Sequence, residues 1–198
     1  MSVDPTRNPP RTSYARHCRH RAANALVVEA VSALDRPDGT AIDIGAGSLN
    51  STRYLLSAGF TVHAIDTDPY TAELAAQLDD PRLTMHSADV LDVPIAERRF
   101  DLIVAIHVLH LLQRSDIDTV VPRLIGGLTD GGLLCATFVG VRDTWAATPW
   151  RATALRRDEM VDLLSDLSVI RLDELEYDGL NVLDQRKHWH TLRCLLRK

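Results

Sequence analysis

The sequence predicts an α/β fold: a doubly wound, largely parallel sheet with helices on both faces and an antiparallel edge. Three observations carry this. Short apolar strands alternate with helical segments five times from Thr40 onward, the pattern of βαβ crossovers. The segment Asp101–Ile106, DLIVAI, is apolar after its first residue, as befits a strand buried on both faces. The last two strands have no helix between them, so they form a hairpin.

Residues 1–12 carry Pro5, Pro9 and Pro10 and few apolar side chains, and read as a flexible arm. From Ser13 to Asp35 the spacing of Cys18, Ala22, Ala25, Leu26, Ala30 and Leu34 predicts one helix, basic in its first half. Arg36-Pro37-Asp38-Gly39 is a turn. Thr40–Ile44 is the first strand, followed by a helix over Asn50–Ala58 that Gly59 closes. Thr61–Ile65 is the second strand. Asp68-Pro69 combines an N-cap with proline at the first helical position and opens a helix to Leu78. Arg82–His86 and Asp101–Ile106 are the third and fourth strands.

Residues 115–128 have helical spacing but contain Pro122, which predicts a kink or a late start. Asp130-Gly131-Gly132 turns into a fifth strand, Leu133–Phe138. A helix over Arg157–Leu167 precedes the closing strands Val169–Glu176 and Trp189–Leu196. Residues 13–198 thus form a single domain: an N-terminal cap helix (13–35), a ligand-binding core (40–138) and a segment of loop, helix and hairpin (139–198).

Composition narrows the function. The 198 residues are 45% hydrophobic and 25% charged, with net charge −5. That balance gives a soluble globular chain without the basic excess of a dedicated nucleic-acid binder. No apolar run approaches the roughly 18 residues of a membrane span, and the N-terminus shows no signal segment. Cys18, Cys135 and Cys194 are far apart and form no CxxC pair, so the expected setting is a reducing cytoplasm without disulfide or metal site.

On such sheets ligands bind at the carboxyl ends of the strands, near the point where strand order reverses. The first strand ends there in Gly45-Ala46-Gly47. Glycines let the backbone approach a ligand, and the next helix offers its free N–H groups. Position 50 is Asn, where the dinucleotide fingerprint needs glycine. Asp66, at the end of the second strand, is placed to accept hydrogen bonds from ribose hydroxyls; its alternative role as a helix cap suits Asp68 better. After the third strand, Asp89 and Val90 match an adenine edge, with an ordinary acidic loop as the alternative.

Together these residues resemble the class I S-adenosylmethionine-dependent methyltransferases. The stretch AIDIGAGSLNSTRYLL and the ending from Lys187-His188-Trp189-His190 to Lys198 are similar to small bacterial members of the tellurite-resistance type. The resemblance implies a Rossmann-like seven-stranded sheet with an antiparallel last strand in a three-layer αβα sandwich. It implies S-adenosyl-L-methionine as cofactor, held by Asp43, Gly45, Gly47, Asp66 and Asp89 with Tyr14, Ala46, Thr67, Ala88, Val90 and Ile106. The departure is Leu49, where the commoner motif has a third glycine.

Methyl transfer needs alignment and exclusion of water, and a base only if the acceptor attacks from a protonated state. His107, just past DLIVAI, is the candidate base, with a static hydrogen bond or packing as the alternative. His110, Trp145, His188 and His190 are candidates for the acceptor pocket, and Trp145 and Trp150 for a lid. No Asn/Asp-Pro-Pro-Tyr run occurs at Ala105–Val108, which disfavours nucleic-acid bases as acceptors. The expected acceptor is a small molecule or short peptide. A nicotinamide-dependent oxidoreductase and a non-catalytic cofactor-binding regulator are the alternatives.

Overall fold

The structure is a computed structural model that describes residues 11–34, 38–147 and 152–198. The proposed arm up to residue 10, the turn at 36–37 and Trp150 lie outside the described residues. The helices are α1 (Arg11–Cys18), α2 (Ala25–Leu34), α3 (Asn50–Ser57), α4 (Pro69–Leu78), α5 (Arg114–Gly127) and α6 (Arg157–Leu163). The strands are β1 (Thr40–Ile44), β2 (Thr61–Ile65), β3 (Leu83–His86), β4 (Phe100–Ala105), β5 (Leu128–Gly140), β6 (Ala154–Leu155), β7 (Ser168–Leu180) and β8 (Arg186–Arg197).

The sheet order is β3-β2-β1-β4-β5-β8-β7, with the two-residue β6 paired to the end of β5. β1 to β5 run parallel; β8 is antiparallel to both β5 and β7. The predicted seven-stranded path is present, and β6 is an addition to it. Side chains alternate across the sheet with the period of two that strands impose. Ala41, Leu102, Val104, Leu133 and Cys135 meet α2 and α3 on one face. Ile42, Ile103, Ala105, Leu134 and Ala136 meet α5 and Met160 of α6 on the other.

Three local differences from the sequence reading have physical causes. The N-terminal segment is two helices, because Asn24 caps α2: its side chain accepts the Leu26 N–H at 3.0 Å and its carbonyl the Val27 N–H at 2.9 Å. The apolar stripe spans this break and conceals it. Asp130-Gly131-Gly132 lies inside β5 rather than before it; Gly131 has φ +77° and the β4–β5 register shifts between Phe100 and Leu102, a bulge. α5 starts at Arg114 and runs through Pro122.

Strand order reverses between β1 and β4. Beyond their carboxyl ends opens a cleft of about 830 Å³, within the size range of small-molecule sites. No helix among the described residues is long and apolar enough to cross a membrane.

Candidate donor and acceptor cleft

The glycine bend forms one wall. Gly45 and Gly47 have φ of +67° and +48°, conformations that side chains resist. A Cβ on Gly45 would lie 2.4 Å from Val108 Cγ2, so this glycine lets the residues after β4 pack directly on the bend. At Leu49 the backbone is also left-handed, φ 59° and ψ 24°. Leucine therefore takes the shape expected of a third glycine, and its buried side chain packs with Ala46, Ala64, Leu74 and Ala75.

Asp66 holds the bend from β2. One carboxylate oxygen accepts the Gly47 N–H at 2.8 Å, the other the Asp68 N–H at 2.8 Å. A carboxylate has about four lone-pair sites, so both oxygens retain capacity for a ligand's hydroxyls. Asp68 caps α4 through the Tyr70 N–H at 3.0 Å. Asp89 accepts the Leu91 N–H at 3.0 Å and so shapes its own loop, beside the buried Val90.

Asp43 ends its strand buried, and its carboxylate accepts the Thr52 hydroxyl at 2.7 Å. Burial, opposed by the Thr52 hydrogen bond and reinforced by the nearby Asp66 charge, pushes its pKa up to about 7. A carboxyl raised in the folded state stabilises the fold fully below its unfolded pKa of 3.8 and loses that contribution as pH rises toward about 7. Asp43→Asn is therefore expected to gain on the parent across this window, by at most about 1.4 kcal/mol per pH unit. Urea unfolding at two pH values within the window checks this, and a difference that stays constant between them would contradict it.

Tyr14, on α1, lines the same cleft; its hydroxyl is buried with no hydrogen-bond partner among the described residues. α1 is moored by Asn50 Nδ2 donating to the Cys18 carbonyl at 2.8 Å. Ala46, Thr67, Ala88 and Ile106 line the same cleft, so every residue proposed for the cofactor borders one cavity.

His107 follows β4 in a left-handed conformation, φ 54°, its N–H donating to Thr137 Oγ1 at 2.8 Å. Its ring is exposed to the cleft. Desolvation, then the Lys187 charge, lower its pKa from the ordinary 6.5, with Asp143 opposing. Both lowering effects favour the neutral imidazole. His110, buried, stacks on Trp145 with ring centres 5.6 Å apart.

The structure separates the two remaining histidines from the cavity. His188 pairs with Asp178 at 2.8 Å and Glu176 at 3.0 Å on the hairpin surface. His190 is 1% exposed; Nδ1 accepts the Arg142 N–H at 3.0 Å and Nε2 meets Glu174 at 2.7 Å. Both occupy the strand face turned away from the cavity. Trp189 between them borders it instead, with Thr191 and Arg193 at the same strand period.

Sequence reasoning also missed the pair beneath this wall. Lys187 and Asp143 form a buried ion pair, their side chains 2% and 0% exposed. Asp143 further accepts the N–H groups of Trp145 (2.9 Å) and His190 (3.1 Å). Thr144 Oγ1 accepts the His188 N–H at 2.9 Å. The Lys-His-Trp-His run thereby fastens the segment that carries Trp145.

Residues 42–136 match the family model described as a methyltransferase domain. An uncharacterized methyltransferase of Geobacillus thermodenitrificans is 27% identical over 135 residues, 67% of this chain; the match spans 61% of that protein's length. TehB from Haemophilus influenzae is similar in structure, with TM-score 0.76 and 15% identity over 93% of this chain and 65% of TehB. So is the Burkholderia thailandensis 1,6-didemethyltoxoflavin-N1-methyltransferase, solved with that compound and S-adenosylhomocysteine bound: TM-score 0.70, 20% identity, 99% of this chain and 93% of that one. These likenesses support neither the oxidoreductase nor the regulator alternative.

Proposed function

We propose that this chain is a class I S-adenosylmethionine-dependent methyltransferase, a reading that the methyltransferase-domain match and the shared fold support, and that it moves a methyl group to a small-molecule or short-peptide acceptor by in-line displacement. The observation that carries the reading is the Asp66 carboxylate, which stands beside the glycine bend at the reversal of strand order with both oxygens toward backbone N–H groups. The Burkholderia enzyme, of the same fold, was solved with the demethylated donor product and a small-molecule acceptor, which supports both the cofactor and the acceptor class. The free cysteines suit a reducing compartment such as the cytoplasm.

S-adenosylmethionine, when bound, supplies an electrophilic sulfonium methyl. The chain does the rest. Asp66 takes the ribose hydroxyls, and Asp89 and Val90 the adenine edge. Tyr14 and Asp43 border the opposite end, and Ala46, Thr67, Ala88 and Ile106 complete the walls. His107, neutral and at the cleft, accepts the proton that an O–H, N–H or S–H acceptor sheds on attack. His110 and Trp145 keep water from the acceptor side.

Calorimetric titration with S-adenosylmethionine tests the donor, and labelled-methyl transfer to a metabolite extract tests turnover. Binding followed by labelling is expected; nicotinamide binding with no response to S-adenosylmethionine would overturn the reading. His107→Ala is expected to cut turnover about 10²–10⁴-fold, the usual worth of a general base, with far less loss in donor affinity. In the parent the rate should rise with pH along a limb below 6.5, since the His107 pKa is lowered from that value. A variant as active as the parent removes His107 from the chemistry.

A further inference from the structure

The aromatic side chains of the cleft touch one another in an unbroken series. Trp145 stacks on His110 and meets Tyr14 edge-on, ring centres 6.4 Å apart. Trp189 lies 6.0 Å from Trp145 and 6.5 Å from His107, and Tyr177 stacks on it at 6.2 Å with 17° between the planes. The chain has only three tryptophans and four tyrosines, and two of each line this cavity. Such a corner suits one of two ligand types: a flat ring, by stacking, or a cation, held against the ring faces.

Lys187 decides between them. Its ammonium stands 4.3 Å from the Trp145 ring centre and 3.9 Å from that of Trp189, anchored by Asp143. The cation position over these rings is thus already taken by a side chain of the protein's own, neutralised by Asp143, and leaves no such place for a cationic ligand. The lining also includes two exposed apolar side chains, Leu175 and Leu180, 36% and 58% exposed.

On the reading of this cleft as a methyltransferase site, we infer that the acceptor is a flat, uncharged aromatic molecule with a ring-borne O–H or N–H. It lies in the corner that Trp145, Trp189 and Tyr177 form, with its nucleophilic atom toward His107. That atom's lone pair forms the new bond to the methyl carbon. The carbon–sulfur bond breaks with its electrons kept by sulfur, and the acceptor's proton passes to the His107 imidazole.

The test is calorimetric titration of the full chain, saturated with S-adenosylhomocysteine, with 2-naphthol as the flat phenol and choline as the cation. Naphthol is expected to bind with Kd below about 1 mM, and choline not at all. Trp145→Leu should weaken naphthol about tenfold and Trp145→Phe should restore most of it, with S-adenosylhomocysteine affinity close to the parent's in both. Choline binding as well as naphthol does, or naphthol affinity indifferent to Trp145→Leu while S-adenosylhomocysteine still binds, would overturn the acceptor class. If S-adenosylhomocysteine fails to bind the unaltered chain, the donor reading itself falls, and this acceptor role with it.

Discussion

Asp143→Ala is expected to destabilise the protein by about 3–5 kcal/mol, the usual cost of leaving one partner of a buried ion pair uncompensated. The Lys187 side chain is 2% exposed and cannot reach bulk water without moving Trp145 and Trp189. The same substitution strips the acceptor from the N–H groups of Trp145 and His190. For a chain of this length a loss of that size lowers Tm by roughly 6–20 °C, which a thermal melt followed by circular dichroism reads directly. The double variant Asp143→Leu with Lys187→Met is expected to recover only the part due to the unpaired charge, because two apolar groups need no counter-charge while the Trp145 and His190 N–H groups still lack an acceptor. A drop of under about 2 °C in the single variant would mean that Lys187 finds another partner or water.

Asp66→Ala is expected to weaken S-adenosylhomocysteine binding by about 10- to 100-fold, or about 1.5–3 kcal/mol. Two losses combine. The hydroxyl-accepting oxygens disappear, and the Gly47 N–H, held at 2.8 Å in the parent, is left without its partner. Asp66→Asn keeps one acceptor oxygen but turns an amide donor toward a backbone donor, so it should fall between parent and alanine variant. Calorimetric titration of the three proteins gives the order. Equal affinity in parent and Asp66→Ala would take Asp66 out of the donor site.

Much of the fold is legible in the chain. β1, β2 and α4 fall where apolar runs and the Asp68-Pro69 cap put them, because a parallel strand and a capped helix write their limits locally. The donor half of the cleft is legible for the same reason, since its glycine bend and acidic strand ends are short motifs. The break before α2 was hidden because Asn24 acts through a single cap while the apolar stripe runs on. The Lys187–Asp143 pair joins residues 44 apart, and nothing in either neighbourhood announces the other. The strand alternation of 188–190 correctly puts both imidazoles on one face. Which face looks into the cavity depends on the packing of residues 140–145 against β8, visible only in three dimensions: Gly140 leaves no room for a Cβ against the His190 ring.

Leu49 gives the glycine bend an unusual mechanical character. A non-glycine residue in this conformation costs roughly 1–2 kcal/mol, offset by complete burial of its side chain. Straightening the bend would drag that side chain out of its nest, forfeiting about 2 kcal/mol of transfer energy. This rim therefore behaves as an anvil, expected to keep one shape whether the cleft is empty or filled.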